Sequence, residues 1–189
     1  QVLVTIIGIV GCTVLLISGL GLYEGIDNSK EWYFNDVNHF ESKLILSGDA
    51  GLSQVNSIAH NVNGSPIMES SVGILSNKSQ MASLLVLNDT NLIRITDDNH
   101  NPLEIANDEV SISRKMADMM GIDVGDTINC HLIGSDNDVE IKIDKIHSSP
   151  FSQGLVMSPD KLRDLGLNFT PTSVVTSQHV SGSYDGVGG

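Results

Sequence analysis

The sequence predicts an α+β domain, with a mixed, largely antiparallel sheet and a few helices, that follows one transmembrane helix. The first observation is the distribution of charge: residues 2–23 carry none, while all 33 charged residues lie elsewhere. The second is a series of short aliphatic runs separated by polar turns, which is typical of strands in an antiparallel sheet. The third is a small number of segments with helical spacing or helix-capping signals.

Size and composition limit the classes of protein to which the chain can belong. At 189 residues and 20.2 kDa the chain is long enough for one ordinary domain with an appendage. It is too short for an enzyme with several catalytic domains. Aromatic residues make up only 4%, so a soluble core must consist of Ile, Leu, Val and Met. The formal net charge of -13 repels the phosphates of nucleic acids. Nucleic acid is therefore not an expected partner.

Residues 2–23 are predicted to cross a membrane as a helix. They comprise 15 hydrophobic residues, four glycines and the three polar residues Thr5, Thr13 and Ser18. As a helix they would reach about 33 Å, against a hydrocarbon core of about 30 Å. A secretory signal peptide would instead have a cationic start, a shorter apolar stretch and a small-residue cleavage site. A helix buried in a soluble core seldom remains uncharged over this length.

The flank that follows the span indicates its orientation. Its charged residues are mainly acidic: Glu24, Asp27, Lys30, Glu31 and Asp36. Loops on the cytoplasmic side carry an excess of Lys and Arg, so this flank favours an extracytoplasmic location for residues 24–189. The expected localisation is the cell membrane.

Two groups of residues in and beside the span are candidate contact sites. Aromatic side chains anchor helices at the lipid interface, and the candidates here are Tyr23, Trp32 and Tyr33. Small residues permit close approach of a second helix, and the candidates here are Gly8, Gly11, Gly19 and Gly21. We therefore expect a helix that packs against other helices as well as against lipid.

Four parts of the chain are expected in order. Residues 1–23 form the transmembrane helix, residues 24–36 a membrane-proximal stalk, residues 37–180 the extracytoplasmic α+β domain, and residues 181–189 a tail that leads toward a further span. Within the domain, residues 40–46 predict a strand. Residues 51–61 predict a helix because their apolar positions have helical spacing: Leu52, Val55, Ile58 and Ala59.

The middle of the domain predicts further strands. Residues 67–80 are strand-like but are interrupted by Gly73 and Asn77. Residues 83–87 and 92–95 are aliphatic runs separated by four polar residues, a pattern that predicts two strands joined by a short connection.

The second half of the domain carries the clearest local signals. Val110 and Ile112 alternate with polar neighbours as in a strand, Ser113 can cap the helix that follows, and Gly121 can end it. Residues 127–133 and 139–146 then predict an antiparallel hairpin, since the second run alternates apolar and charged residues. Residues 154–157 predict a strand. Ser158 and Pro159 predict the start of a short helix that ends at Gly166, and residues 172–176 predict the last strand.

No local motif of catalysis or metal binding is found in the sequence. Cys12 lies in the predicted span and Cys130 in a predicted strand outside it, so the two are not expected to form a disulfide. They also have no metal-binding spacing. The acidic turn at residues 97–101 lacks the Gly and terminal Glu of an EF-hand loop. The histidines are scattered and are expected at the surface or in turns: His39, His60, His100, His131, His147 and His179. We therefore expect no catalytic, cofactor-binding or metal-binding residues, no cofactor, and no enzymatic activity.

Several segments resemble one family of membrane proteins. The charge-free LVTIIGIVG at residues 3–11 and its acidic flank resemble the first transmembrane helix of FtsX-like, MacB-type ABC transporter permeases. DEVSIS at residues 108–113, followed by Met120-Gly121 and by VGDTI at residues 124–128, resembles the strand, helix and Gly-Asp turn of that family. VMS at residues 156–158, with Leu162 after it, resembles its late strand and helix.

The resemblance implies a bacterial permease subunit whose α+β extracytoplasmic domain is inserted between the first and second transmembrane helices. Its implied partners are a cytoplasmic ABC ATPase subunit, a second permease copy in a dimer, and an exported substrate or extracytoplasmic partner that the sequence does not identify. ATP-driven dimerisation inside the cell would move the helices, and the outer domain would transmit that motion. The permease part itself would not hydrolyse ATP.

A physical argument points to the same mechanism. A span that leads directly into a folded domain can displace that domain if the junction is rigid, and residues 24–34 contain no Pro and only Gly25. Two other classes of protein remain open. One is a single-span sensor or adhesion domain that binds an extracellular ligand, and the other is a membrane-tethered hydrolase.

Overall fold

The computed structural model describes residues 2–32, 37–48, 50–75, 79–133, 138–150, 152–181 and 186–188. Within these ranges it contains a long N-terminal helix followed by a mixed sheet and three short helices, which confirms the predicted α+β class. The elements in order are α1 (Val2–Trp32), β1 (Ser42–Ile45), α2 (Leu52–Asn61), β2 (Ser65–Leu75), β3 (Ser79–Val86), β4 (Val110–Ser113), α3 (Arg114–Met120), β5 (Thr127–Leu132), β6 (Asp138–Lys142), β7 (Lys145–His147), β8 (Gly154–Met157), α4 (Pro159–Asp164) and β9 (Ser173–Thr176).

The long strand β2 organises the sheet. One of its edges pairs with β3, and the sheet continues from there through β8 and β4 to β7. Its other edge is shared: the start of β2 pairs with β9, which pairs with β1, while its end pairs with β5, which pairs with β6. The pairings β3–β8 and β4–β7 are parallel and the others are antiparallel. The sheet is therefore mixed and largely antiparallel, as predicted.

Apolar side chains cover both faces of this sheet. In β8, Leu155 and Met157 belong to the main core together with helices α3 and α4, whereas Val156 packs on the opposite face with Ile93 and Ile95. A third cluster lies between α2 and Val174 of β9. A strand that is buried on both faces has no solvent-facing side, so β8 and β9 are buried at every position rather than at alternate ones.

Helix α1 is one unbroken helix that extends nine residues beyond the predicted end of the span at Tyr23. The segment Ile6–Glu24 is long and apolar enough to cross a membrane, and none of it is buried inside the chain. Leu15, for example, is 74% exposed. These side chains have no protein core to pack against, which is the arrangement expected of a helix whose solvent is lipid.

The strand predictions for residues 92–95 and 139–146 were wrong. Residues 92–95 form no strand: Ile93 makes a single bridge to Asn38, and Thr96 makes bridges to Pro102 and Ser148. The run 139–146 is divided between β6 and β7, because the Asp144 N–H donates to Val110 O at 2.9 Å and its carboxylate accepts the Val110 N–H at 3.0 Å. These two bonds turn the chain from the hairpin with β5 to a parallel pairing with β4.

One of the two predicted serine caps is confirmed and the other is wrong. Ser158 begins α4, and its Oγ accepts the Lys161 N–H at 3.0 Å. Ser113 occupies the corresponding position before α3 but makes no capping bond. Its Oγ instead accepts the Gly154 N–H at 3.0 Å, so a residue predicted to cap a helix holds two strands together.

Candidate functional site at the helix–sheet junction

The first described segment after α1 is hydrogen-bonded to the loop at residues 92–94. The His39 N–H donates to Leu92 O at 2.9 Å, and the Arg94 N–H donates to Val37 O at 2.8 Å. Four residues lie between Trp32, the last residue of α1, and Val37. The chain is thus tied to the sheet domain at its first described residues after the helix.

A second set of contacts fixes the same segment to the sheet. Phe40 packs against the apolar cluster that includes Ile93 and Val156. One residue later, the Glu41 N–H donates to Thr176 O at 2.8 Å, and β1 then pairs with β9. A force applied to residue 37 therefore has two routes into the domain, one through the 92–94 loop and the other through β1.

The 92–94 loop continues to the far edge of the sheet. The Ser148 N–H, which follows β7, donates to Thr96 O at 2.8 Å. Residues 37–40, 92–96 and 147–148 thus form a continuous hydrogen-bonded layer over one face of the sheet. We call these residues the junction layer.

A cavity of about 150 Å³ lies between the junction layer and the sheet. Its apolar lining includes Phe40, Ile93, Ile95 and Val156, and its polar lining includes His147 and the hydroxyl residues Ser83, Ser148, Ser149 and Ser152. Gly154 also lines it. A Cβ added to Gly154 would lie 1.8 Å from Ser83 O, so only glycine allows β8 to approach β3 this closely.

His147 is the buried titratable group of this cavity. It is 3% exposed, and its Nδ1 lies 2.9 Å from the hydroxyl Oγ of Ser111, which is also buried. Burial lowers the pKa of His147 to about 4, because the charged imidazolium is poorly solvated there. The imidazole is therefore neutral at physiological pH and offers one N–H donor and one acceptor.

The rim of the cavity carries charged side chains. Lys43 Nζ lies 2.6 Å from Glu69 Oε2, and both are partly exposed. Arg94 also lies at the rim and forms no ion pair with any residue that the structure describes. The charges that reach the cavity are therefore at its mouth, while its floor is uncharged.

The glycines predicted to contact a neighbouring helix are open on this chain. A Cβ added at Gly8, Gly11, Gly19 or Gly21 would meet nothing within 4 Å. Gly21 is about 200° around the helix from Gly19, so the four do not share one face. Among the predicted interface anchors, Tyr23 is 68% exposed, Trp32 ends α1, and Tyr33 lies outside the described residues.

The prediction that every histidine is a surface or turn residue was wrong for His147. Alternation along β7 does not indicate its burial, because His147 lies two positions after Lys145 and therefore shares the face of a charged residue. The acidic turn at residues 97–101 is closed by its own backbone. Asp97 accepts the N–H groups of Asn101 and Asn99, which together with the side chain of Asn101 lower its pKa.

The remaining candidate chemistry is not assembled into a reactive site. Cys130 is buried, and burial raises its pKa to about 12, so it carries no thiolate. No group of three or more His, Cys, Asp or Glu side chains that could hold a metal ion occurs in the described part of the chain.

Comparison with known proteins gives similarity at the level of structure. No protein-family profile matches the chain, and no curated protein matches it in sequence. It is similar to the extracellular domain of the noncanonic ABC-type transporter YknZ from Gram-positive bacteria, with 12% identity, a TM-score of 0.49, and coverage of 72% of this chain and 82% of that one. It is also similar to the periplasmic region of MacB from Actinobacillus actinomycetemcomitans, with 13% identity, a TM-score of 0.46, and coverage of 74% and 75%. A domain from Porphyromonas gingivalis assigned to a permease has 15% identity, a TM-score of 0.41, and coverage of 77% and 80%.

Proposed function

We propose that this chain is the first transmembrane helix and the extracytoplasmic domain of an ABC transporter permease subunit of the FtsX-like, MacB-type group. In this role α1 is moved by an ATPase on the cytoplasmic side, and the sheet domain passes the movement to a substrate or partner outside the cell. The permease part binds no ATP and carries out no catalysis. The motif resemblance at residues 3–11 and 108–128 supports the family assignment.

The observation that carries the mechanism is the continuity between the span and the sheet. Helix α1 runs without a break from the apolar segment to Trp32, about 13 Å beyond Tyr23. At Val37 the chain is already hydrogen-bonded to residue 94, and at Glu41 to Thr176. A stiff helix followed by so short a connection transmits displacement, whereas a Gly- or Ser-rich linker would absorb it.

A distance measurement in the intact subunit tests this role without knowledge of the substrate. The native cysteines are removed, Asn99 in the exposed acidic turn is changed to Cys, and a spin label is attached. The subunit is reconstituted with its ATPase in lipid, and the distance between the labels of two copies is measured before and after trapping with ATP and vanadate. We expect the distance to change on trapping, and an unchanged distance would contradict the proposal.

An insertion tests whether the junction carries the movement. Gly-Gly-Ser inserted after Lys30 should abolish the ATP-dependent distance change while ATP hydrolysis continues. The matched control is the same insertion after Asn168, an exposed residue between α4 and β9, where extra loop length costs little. If the Lys30 insertion leaves the distance change intact, the rigid-junction mechanism is wrong.

A second candidate function is a single-span sensor that binds an extracellular ligand. The observation that favours it is the cavity beneath the junction layer, because a ligand there would contact the segment that follows the helix. A sensor would show the distance change with ligand alone and would not respond to ATP and vanadate. The trapping experiment therefore separates the two functions.

A further inference from the structure

The cavity beneath the junction layer combines an apolar lining with a buried imidazole. Ile93 and Ile95 of the layer and Val156 of the sheet are each less than 10% exposed, and His147 is 3% exposed. Its volume of about 150 Å³ corresponds to one benzene-sized ring, since engineered apolar cavities of about that size bind benzene. It is much smaller than the pockets of about 300 to 1,000 Å³ that hold drug-sized ligands.

The hydrogen bonding of Ser111 determines which nitrogen of His147 carries the proton. Among the residues described, the Ser111 hydroxyl has His147 Nδ1 as its hydrogen-bond partner, and Ser111 is fully buried. If Nδ1 carried the proton, the Ser111 O–H would be left without an acceptor, which is costly in the interior. The hydroxyl therefore donates to Nδ1, and the proton of the neutral ring is on Nε2.

His147 Nε2 is then a donor at the cavity. It has no hydrogen-bond partner among the described residues, and His147 lines the cavity. A ligand that places an oxygen acceptor there satisfies this donor and at the same time fills the apolar space. An uncharged oxygen is favoured, because the cationic side chains Lys43 and Arg94 lie at the rim, whereas an ion beside the buried neutral imidazole would lose its hydration without an opposite charge next to it.

We propose that this cavity binds a small uncharged amphiphile, consisting of one ring-sized apolar body with a single hydroxyl or carbonyl oxygen that accepts a hydrogen bond from His147 Nε2. Ligand binding does not depend on the proposed transport function. The position of the cavity nevertheless links ligand binding to that function. Val37, Asn38 and Phe40 line one side of the cavity, and residues 93–95 line another. A bound ligand therefore contacts both segments of the junction layer, residues 37–40 and 93–95, and stabilises the hydrogen bonds between them.

The test uses the full chain in lipid nanodiscs and observes the protein, so that partition of the probe into lipid does not mimic binding. The methyl signals of Ile93, Ile95 and Val156 are followed by NMR during titration with p-cresol, toluene and benzoate. We expect saturable shifts with p-cresol and toluene, and about tenfold tighter binding of p-cresol, which corresponds to one hydrogen bond. Benzoate should bind more weakly than p-cresol. Absence of saturable shifts, equal affinities for p-cresol and toluene, or tighter binding of benzoate would each overturn the proposal.

Two further measurements locate the hydrogen bond and its effect. In His147→Leu the preference for p-cresol over toluene should disappear while toluene still binds; a preserved preference would contradict the role of Nε2. In the unsubstituted chain, p-cresol should slow hydrogen exchange of the Arg94 amide about tenfold more than that of the Lys142 amide in β6, which is remote from the cavity. Equal slowing at both amides would contradict the link to the junction layer.

A para-alkyl phenol could be a free small molecule or the side chain of a tyrosine in a peptide. N-acetyl-tyrosine amide distinguishes the two sources. Binding with an affinity similar to that of p-cresol identifies a peptide side chain as an acceptable occupant, and much weaker binding identifies a free small molecule. Either result supports the ring-and-oxygen chemistry of the site, which the comparison with toluene tests independently.

Discussion

Ser111 Oγ and His147 Nδ1 lie 2.9 Å apart in the interior, where they join two strands 36 residues apart in the chain. Ser111 is in β4 and His147 ends β7, and the two strands pair in parallel through residues 111–113 and 145–147. A buried polar pair of this kind is stabilising only while both partners are present, because either one alone would be desolvated without a hydrogen bond. This pair also fixes the imidazole that faces the cavity.

The stability of the chain should fall as pH falls from about 6.5 to about 4 because of His147. Its pKa is about 4 in the folded chain and 6.5 in its ordinary state, so in this window the unfolded chain binds the proton and the folded chain does not. The contribution lost is on the order of 3 kcal/mol, and below pH 4 the loss levels off.

Denaturant unfolding at a series of pH values measures this effect. The chain with His147→Leu should have a shallower dependence between pH 6.5 and pH 4, whereas His60→Asn, at an exposed histidine of α2, should leave the slope unchanged. Carboxyl groups protonate in the same range, so the difference between the two slopes is the quantity to compare. Identical slopes for the His147 variant and the unsubstituted chain would show that His147 is not buried in its neutral form.

Gly154→Ala should destabilise the domain by about 2 kcal/mol or more. The new Cβ would lie 1.8 Å from Ser83 O and 2.6 Å from Ser83 N, so β3 and β8 would have to separate. The free energy of unfolding measures this loss. Gly48→Ala is the matched control, because a Cβ at Gly48 meets nothing within 4 Å. Equal stability of the two variants would contradict the close approach of the strands.

Ser158→Ala should cost about 1 to 2 kcal/mol. The Ser158 hydroxyl accepts the Lys161 N–H at 3.0 Å and donates to Asn107 O at 2.6 Å, so its removal leaves α4 without a cap and a carbonyl without a donor. The midpoint of thermal or denaturant unfolding reports the change. Ser177→Ala, at an exposed serine after β9, should have no measurable effect. A neutral Ser158→Ala substitution would show that the cap contributes nothing.

Gly11→Leu together with Gly19→Leu should impair assembly of the span with other helices. Added side chains at these positions would hold a neighbouring helix away from the backbone of α1, where a Cβ would meet no atom of the described residues within 4 Å. Chemical crosslinking of the intact subunit in detergent measures the oligomer. Ile6→Leu, about 140° around the helix from both glycines, is the control. Unchanged assembly of the double variant would remove these glycines as contact residues.

Local patterns predicted those features that depend on neighbours along the chain. The charge-free stretch predicted a helix without a protein core around it. The spacing of Leu52, Val55, Ile58 and Ala59 predicted the apolar face of α2, of which Leu52 is exposed and the other three are buried. The Ser158-Pro159 signal predicted a capped helix for the same reason: the donor, the acceptor and the turn all lie within four residues. In each case the signal that predicts the structure lies within one element.

Features that depend on distant partners came only from the tertiary structure. Ser113 has the sequence position of a helix cap, yet its hydroxyl accepts the N–H of Gly154, 41 residues away, because β8 passes beside it. His147 is buried because residues 92–96 fold back over β7, and the aliphatic run 92–95 covers a cavity instead of forming a strand. The sequence alone determined the long apolar helix and the order of most elements, since composition, periodicity and capping are local signals. The neighbours of each strand, and with them the buried imidazole and its cavity, were decided by the path of the whole chain.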